Sequence, residues 1–176
     1  MTMNAAPEFH YLPYDVFLAD LETIAVQVEQ DSWKPDFLVG VGRGGLVPAA
    51  YLSHRTGITL LSVDHSSGDD AFADELLAKL AAKSRAGSRI LIVDDINDTG
   101  STIAYLRQVL ADHGCSEPHI RVAVLVNNIR SKVRVEYAGS NIDRSEDKRW
   151  YVFPWEAVAP AQRLIEDAAE VPERLA

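Results

Sequence analysis

The chain has 176 residues, 47% of them hydrophobic, with 17 basic against 26 acidic side chains and a net charge of −9. That length allows one domain with a real core, and the acidic balance argues against a nucleic-acid scaffold, which needs a basic surface for the phosphate backbone. A single cysteine, Cys115, excludes an internal disulfide, and no apolar run approaches the roughly 20 residues that span a bilayer. The N-terminal MTMNAAPEFHYLPYD lacks the basic flank and apolar core of a signal peptide, so a cytoplasmic protein with no membrane requirement is expected. A small anionic ligand held by backbone N–H groups stays compatible with the charge.

In chain order, apolar residues at Val16, Phe17, Leu21, Ile24, Ala25 and Val28 predict a helix over Tyr14–Gln30. FLVGV (residues 37–41) reads as a buried strand after Pro35, and residues 46–55 as a helix stopped by Gly57. ITLLSV (58–63) predicts a second strand, HSSGDD (65–70) a polar loop, and residues 71–83 a helix. A third strand is expected over 89–93, then a helix over 101–113 ended by Gly114. HIRVAVLV (119–126) predicts a fourth strand, 133–137 a fifth, 150–153 an edge strand closed by Pro154, and 161–169 a C-terminal helix. Strands alternating with helices predict an α/β fold, a mostly parallel central sheet flanked by helices. Ligands bind such sheets beyond the carboxyl ends of the strands.

Two strand ends carry unusual chemistry. The first runs into Gly40-Val41-Gly42-Arg43-Gly44-Gly45, a G-x-G-x-x-G between strand and helix, and Asp64 closes the next strand where a dinucleotide fingerprint places its acid. Glycines that merely allow a tight turn, a dinucleotide site, or a pyrophosphate pocket with Arg43 as fixed cation all fit that stretch. The third strand ends in ILIVDDINDTGST (90–102). Asp94 and Asp95 start toward opposite faces, yet at a strand tip both reach one polyhydroxylated ligand or a magnesium shell. Asp98-Thr99-Gly100-Ser101-Thr102 then offers hydroxyls and backbone N–H groups at the positive end of a helix, a phosphate cradle. A ribose 5-phosphate is the chemistry implied; an acidic turn with an ordinary cap is the plain alternative.

ILIVDDINDTGST resembles the phosphoribosyl-pyrophosphate signature of the type I phosphoribosyltransferases. Gly42-Arg43-Gly44-Gly45 is similar to the pyrophosphate loop of the bacterial xanthine-guanine members, and Trp150-Tyr151-Val152-Phe153-Pro154-Trp155-Glu156 to their base-binding segment. The pieces come in the family's order over about residues 10 to 160. The resemblance implies a single type I phosphoribosyltransferase domain over 1–176, with a small hood formed by the N-terminal segment, the C-terminal segment or both, and a mobile loop at about 64–74. It implies transfer of the phosphoribosyl group to xanthine, guanine or hypoxanthine in purine salvage, with Mg2+ and with dimers or tetramers.

By the same resemblance, Asp94 and Asp95 bind the ribose hydroxyls and help hold the metal. Thr99, Gly100, Ser101 and Thr102 hold the 5′-phosphate, and Arg43 and Gly44 touch the pyrophosphate. Asp98 serves as the catalytic carboxylate near purine N7. Trp150 stacks on the base, Tyr151 offers backbone groups to its edge, and Glu156 lies near the metal or base. Two departures stand out. Asn127 ends the fourth strand where the oxopurine enzymes usually have a lysine for the 6-oxo group, with Arg130 or Lys132 as substitutes. Asp64-His65-Ser66-Ser67 replaces the serine-tyrosine pair of the hood loop, leaving His65 or Lys83 to cover the site. A phosphoribosyl-pyrophosphate-binding regulator of the same fold, or a transferase for another base, is the alternative. Cys115 and His10, His54, His113 and His119 show no metal-ligand spacing, and Cys115 is expected in the core.

Overall fold

Apolar runs rich in Val, Ile and Leu supply strands buried on both faces, as a parallel sheet between helices demands. The computed structural model describes residues 7–63 and 70–171. Its elements are β1 (Phe9–Tyr11), α1 (Tyr14–Gln30), β2 (Phe37–Val41), α2 (Gly42–Thr56), β3 (Thr59–Val63), α3 (Asp70–Arg85), β4 (Ile90–Asn97), α4 (Ser101–Asp112), β5 (Ile120–Asn128), β6 (Tyr137–Ile142), β7 (Trp150–Val152) and α5 (Ala161–Ala169). Five strands form one sheet in the order β3-β2-β4-β5-β6, and every neighbouring pair is parallel. Two cores flank it. Leu38, Leu91 and Val93 pack with Phe17, Leu21, Ile24 and Leu52 of α1 and α2. Val39, Ile90 and Ile92 pack with Leu77, Leu80, Ile103 and Leu106 of α3 and α4. The alternation within each strand sends successive side chains to opposite cores.

Four elements differ from the sequence expectation. The glycine run is not a loop before a helix; it is the first turn of α2 itself, entered at Gly42 with φ +54°. A Cβ on Gly45 would lie 2.1 Å from the Val93 carbonyl oxygen, so only glycine lets α2 approach β4 this closely. β4 runs on through both acids to Asn97, which pairs with Asn127 of β5. The fifth central strand is YAGSNI (137–142), not 133–137. Its small residues have a tertiary reason, since a Cβ on Gly139 would lie 2.5 Å from Asp20 Cβ of α1. β7 is no edge of the central sheet; it pairs in parallel with β1, Phe9 opposite Trp150 and Tyr11 opposite Val152. Cys115 is half-buried rather than enclosed. Residues 64–69, which hold most of the expected loop and the Asp64–Ser67 departure, lie outside the described residues, and residues 70–74, expected in the mobile loop, are the start of α3. Among the described residues no helix is long and apolar enough to cross a membrane.

Candidate active site

At the carboxyl ends of β2 and β4 two helices begin side by side, and between them opens a cavity of about 510 Å³. The starts of α2 and α4 both lack a capping side-chain hydrogen bond and an acid in the first turn. Their leading N–H groups, backed by the helix dipoles, form two sites of positive potential facing one cavity. Gly100 enters α4 at φ +86°, and a Cβ there would meet Ser131 Oγ at 2.7 Å, so glycine answers both the turn and the packing. Thr99 and Ser101 share a hydroxyl–hydroxyl bond of 2.9 Å, and Thr99 Oγ1 accepts the Ser101 N–H at 3.3 Å. Arg43, Gly44, Thr99, Gly100, Ser101 and Thr102 all line this cavity.

The negative wall faces them. Asp94 Oδ1 accepts the Asp95 N–H at 3.0 Å, and Asp95 Oδ1 accepts the Ile96 N–H at 2.7 Å, which fixes both carboxylates against the end of β4. Asp95 rests on Gly44, where a Cβ would lie 2.3 Å from Asp95 Oδ2. Glu156 is fixed by the Phe153 N–H, donated to its Oε2 at 2.9 Å. Burial pushes Asp94 up to about 7. Burial, then the charges of Asp94 and Glu156, push Asp95 well above the carboxylate range. Burial also raises Glu156, against which Arg43 works. Three acids that resist ionisation around one hollow stand to gain from a cation or from hydroxyl donors. Among the described residues no group of three or more His, Cys, Asp or Glu is arranged to hold a metal by itself.

The opposite end of the cavity is aromatic. Trp150 and Tyr151 of β7 line it, and Tyr151 donates its hydroxyl to Asp147 Oδ2 at 2.9 Å. Burial, seconded by that carboxylate, pushes the Tyr151 phenol up to about 12, so it stays protonated. Asp98 stands between the phosphate-cradle turn and this wall, and its two oxygens accept from Arg144 Nε at 2.8 Å and Nη2 at 2.7 Å. Arg144, 4% exposed, lines the cavity too.

The structure brings Arg43, Gly44, Asp94, Asp95, Asp98, Thr99 to Thr102, Trp150, Tyr151 and Glu156 to this cavity. Asn127 is an exception. Its amide oxygen accepts from Asn97, which lines the cavity, at 2.8 Å and its nitrogen donates to Asn141 at 2.9 Å, a ladder across β4, β5 and β6 in which Asn127 itself is off the wall. The expectation that Asn127 faces the base is not what the cavity shows: Asn127 does not line it, and its amide is engaged by the neighbouring asparagines. Arg130 is likewise bound to Asp143, at 2.5 and 3.1 Å. Arg144 went unnoticed because DRSEDKR reads as a solvated charged turn, and no spacing links it to Asp98. Arg163 and Asp167 of α5, which also reach the cavity, were equally silent.

A family model described as the phosphoribosyl transferase domain matches residues 11–160. The xanthine-guanine phosphoribosyltransferase of Gluconobacter oxydans (strain 621H) is 28% identical over 163 residues, 89% of this chain and 91% of that protein. The solved purine phosphoribosyltransferase of Pyrococcus horikoshii superposes with a TM-score of 0.63 at 26% identity, over 87% of this chain and 97% of its own. The Helicobacter pylori xanthine-guanine-hypoxanthine phosphoribosyltransferase shares the fold with a TM-score of 0.61 at 24% identity, over 85% and 94%. With two uncapped helix ends, an acidic strand tip and a match over most of its length, this chain belongs to the phosphoribosyl transferase domain family and is a phosphoribosyltransferase.

Proposed function

We propose that the enzyme transfers the phosphoribosyl group of 5-phosphoribosyl 1-pyrophosphate to a purine with a 6-oxo group (xanthine, guanine or hypoxanthine) and releases pyrophosphate, as a salvage reaction. The observation that carries this reading is the place of Asp98, between the uncapped start of α4 and the Trp150–Tyr151 wall of one cavity. In the reacting tautomer the proton sits on purine N7 and N9 keeps its lone pair. N9 bonds to the anomeric carbon, the bond from that carbon to the pyrophosphate oxygen breaks with its electron pair, and the N7 proton passes to Asp98 and on to solvent. Asp94 and Asp95 take the ribose hydroxyls. The α4 start with Thr99, Ser101 and Thr102 takes the 5′-phosphate, and the α2 start with Arg43 and Gly44 takes the pyrophosphate.

The residues fit Mg2+. This ion prefers one or two carboxylates together with substrate phosphates and water to an all-protein cage, and raised acids without a complete ligand set are that kind of partner. Asp94 and Asp95, with Glu156 nearby, would hold it. When bound, it spreads the charge of the departing pyrophosphate. The pairing of β1 with β7 and the reach of α5 to the cavity support a hood built from both terminal segments of one domain. Dimers or tetramers in the cytoplasm complete the reading.

Turnover with xanthine, guanine, hypoxanthine, adenine, uracil and orotate, in the presence of phosphoribosyl pyrophosphate and Mg2+, tests it. At least one 6-oxopurine is expected to be used best. Turnover of another base alone rejects the specificity, and tight donor binding with no product from any base marks a ligand sensor instead.

A further inference from the structure

Arg144 has a feature that the ion pair with Asp98 does not use. A guanidinium has five N–H donors and no acceptor. Nε and one Nη2 hydrogen go to Asp98, and Nη1 gives its two to the Arg149 carbonyl at 2.7 Å and the Asp147 carbonyl at 3.2 Å. The second Nη2 hydrogen has no acceptor among the described residues, although the side chain is only 5% exposed. A buried donor left over is costly unless something takes it, and this one belongs to a residue of the cavity wall.

The group is also held firmly. Asn128 accepts the Arg144 backbone N–H at 3.3 Å and donates to the Asp98 carbonyl at 2.9 Å, tying both residues to the end of β5. The guanidinium lies over the Tyr151 ring at 5.3 Å. A guanidinium has no acceptor, so it presents donors only.

We propose that Arg144 is the residue that reads position 6 of the base, donating its spare N–H to a 6-oxo group. The claim rests on the purine reading above and goes a step deeper. Asp98 and Arg144 together present an acceptor beside a donor. The edge of a 6-oxopurine, with N7–H beside O6, supplies a donor beside an acceptor. A 6-aminopurine turns an amino donor toward the guanidinium, donor against donor, and leaves both unpaired. Sites built on such complementary pairs reject the mismatched analogue by roughly 10⁴- to 10⁵-fold, whereas packing alone gives factors of about 10 to 200. Asn127, Arg130 and Lys132 are absent from the cavity wall, and of the arginines that line it, Arg43, Arg144 and Arg163, it is Arg144 that is bonded to Asp98.

The test compares hypoxanthine with unsubstituted purine, which lacks only the 6-oxo group, and with adenine, by kcat/KM at saturating donor. Wild type should favour hypoxanthine over purine by at least about 100-fold, and adenine should be poorer still. In Arg144→Met the hypoxanthine-to-purine ratio should fall to within about tenfold, while donor affinity by calorimetry stays within about threefold of wild type. Arg144→Lys, which keeps a donor, should recover part of the ratio, and it replaces the methionine variant if that one fails to fold. Asn127→Ala should leave the ratio as in wild type. A folded, donor-binding Arg144 variant with an unchanged ratio overturns the proposal, because then Arg144 only positions Asp98. Collapse of the ratio in Asn127→Ala overturns it as well. Wild type that turns over no 6-oxopurine fails at the first step and overturns the purine reading itself.

Discussion

The two ends of the cavity are built by different means. The end assigned to the phosphoribosyl group is made from two contiguous stretches, two helix starts whose N–H groups face the cavity and the acidic tip of β4, all within residues 42–45 and 94–102. The end assigned to the base is made from side chains that come together from remote segments, Asp98 from one loop, Arg144 from another, Trp150 and Tyr151 from β7. A site laid along two contiguous turns depends on dihedral angles and glycines as well as on its acids, and suits a ligand that never changes. A site built from side chains can be re-specified one residue at a time without disturbing the sheet.

This contrast can be broken by attacking each end in turn. The largest effect is expected from Asp94→Asn combined with Asp95→Asn. Losing two charge-assisted contacts should weaken donor binding by roughly 10²- to 10⁴-fold, read by calorimetry, with the fold intact by circular dichroism. A dinucleotide site at the glycine turn would instead keep its affinity in that variant. Gly45→Val strikes the scaffold of the same end. Its Cβ would fall 2.1 Å from a backbone oxygen that has nowhere to go, so unfolding free energy should drop by about 3 kcal/mol or more in a denaturant titration.

The acids supply a pH signature for the free protein. Because folding raises Asp94 from its ordinary 3.8 to about 7, the folded state holds that proton more tightly than the unfolded chain. The stability it contributes is complete below about pH 4 and is lost as pH climbs to about 7. Asp94→Asn should therefore stabilise the free protein by roughly 1–4 kcal/mol at about pH 8 and much less at about pH 4, measured as the difference from wild type. Site residues that oppose stability are what a binding site produces.

At the aromatic end the effects are smaller and confined to the base. Trp150→Ala should raise the KM for the base by about 10- to 100-fold, the worth of one stacked ring, and leave donor affinity within about twofold. Asn127→Ala sharpens the comparison by doing little. It should cost about 1 kcal/mol of stability for the lost ladder and leave the KM for the base unchanged.

How much of this was legible in the sequence follows the same division. ILIVDDINDTGST announced strand, acids and helix start together because all are contiguous, and apolar periodicity marked α1, α5 and β2 to the residue. The start of α2 was misread because glycine runs look like loops, while here close backbone packing against β4 overrides the poor helix propensity of glycine. β6 was misplaced because VRVEY alternates like a strand, whereas YAGSNI is a strand for the sake of Asp20 across the way. Arg144 was invisible because its meaning lies in a contact with Asp98, 46 positions away. Asn127 drew attention by its place at a strand end, yet the side chains on either side decide where its amide goes.

The short pairing of β1 with β7 joins segments about 140 residues apart in the chain, Phe9–Tyr11 and Trp150–Val152. A ribosome making this protein delivers both uncapped helix starts long before it delivers Trp150. A nascent chain halted at about residue 130 would own the cradle strand and both helix starts, and no aromatic wall at all. Selectivity for the acceptor is thus the last property this molecule acquires as it is synthesised, and a fragment ending there should recognise the sugar donor, if it folds, while remaining blind to the base.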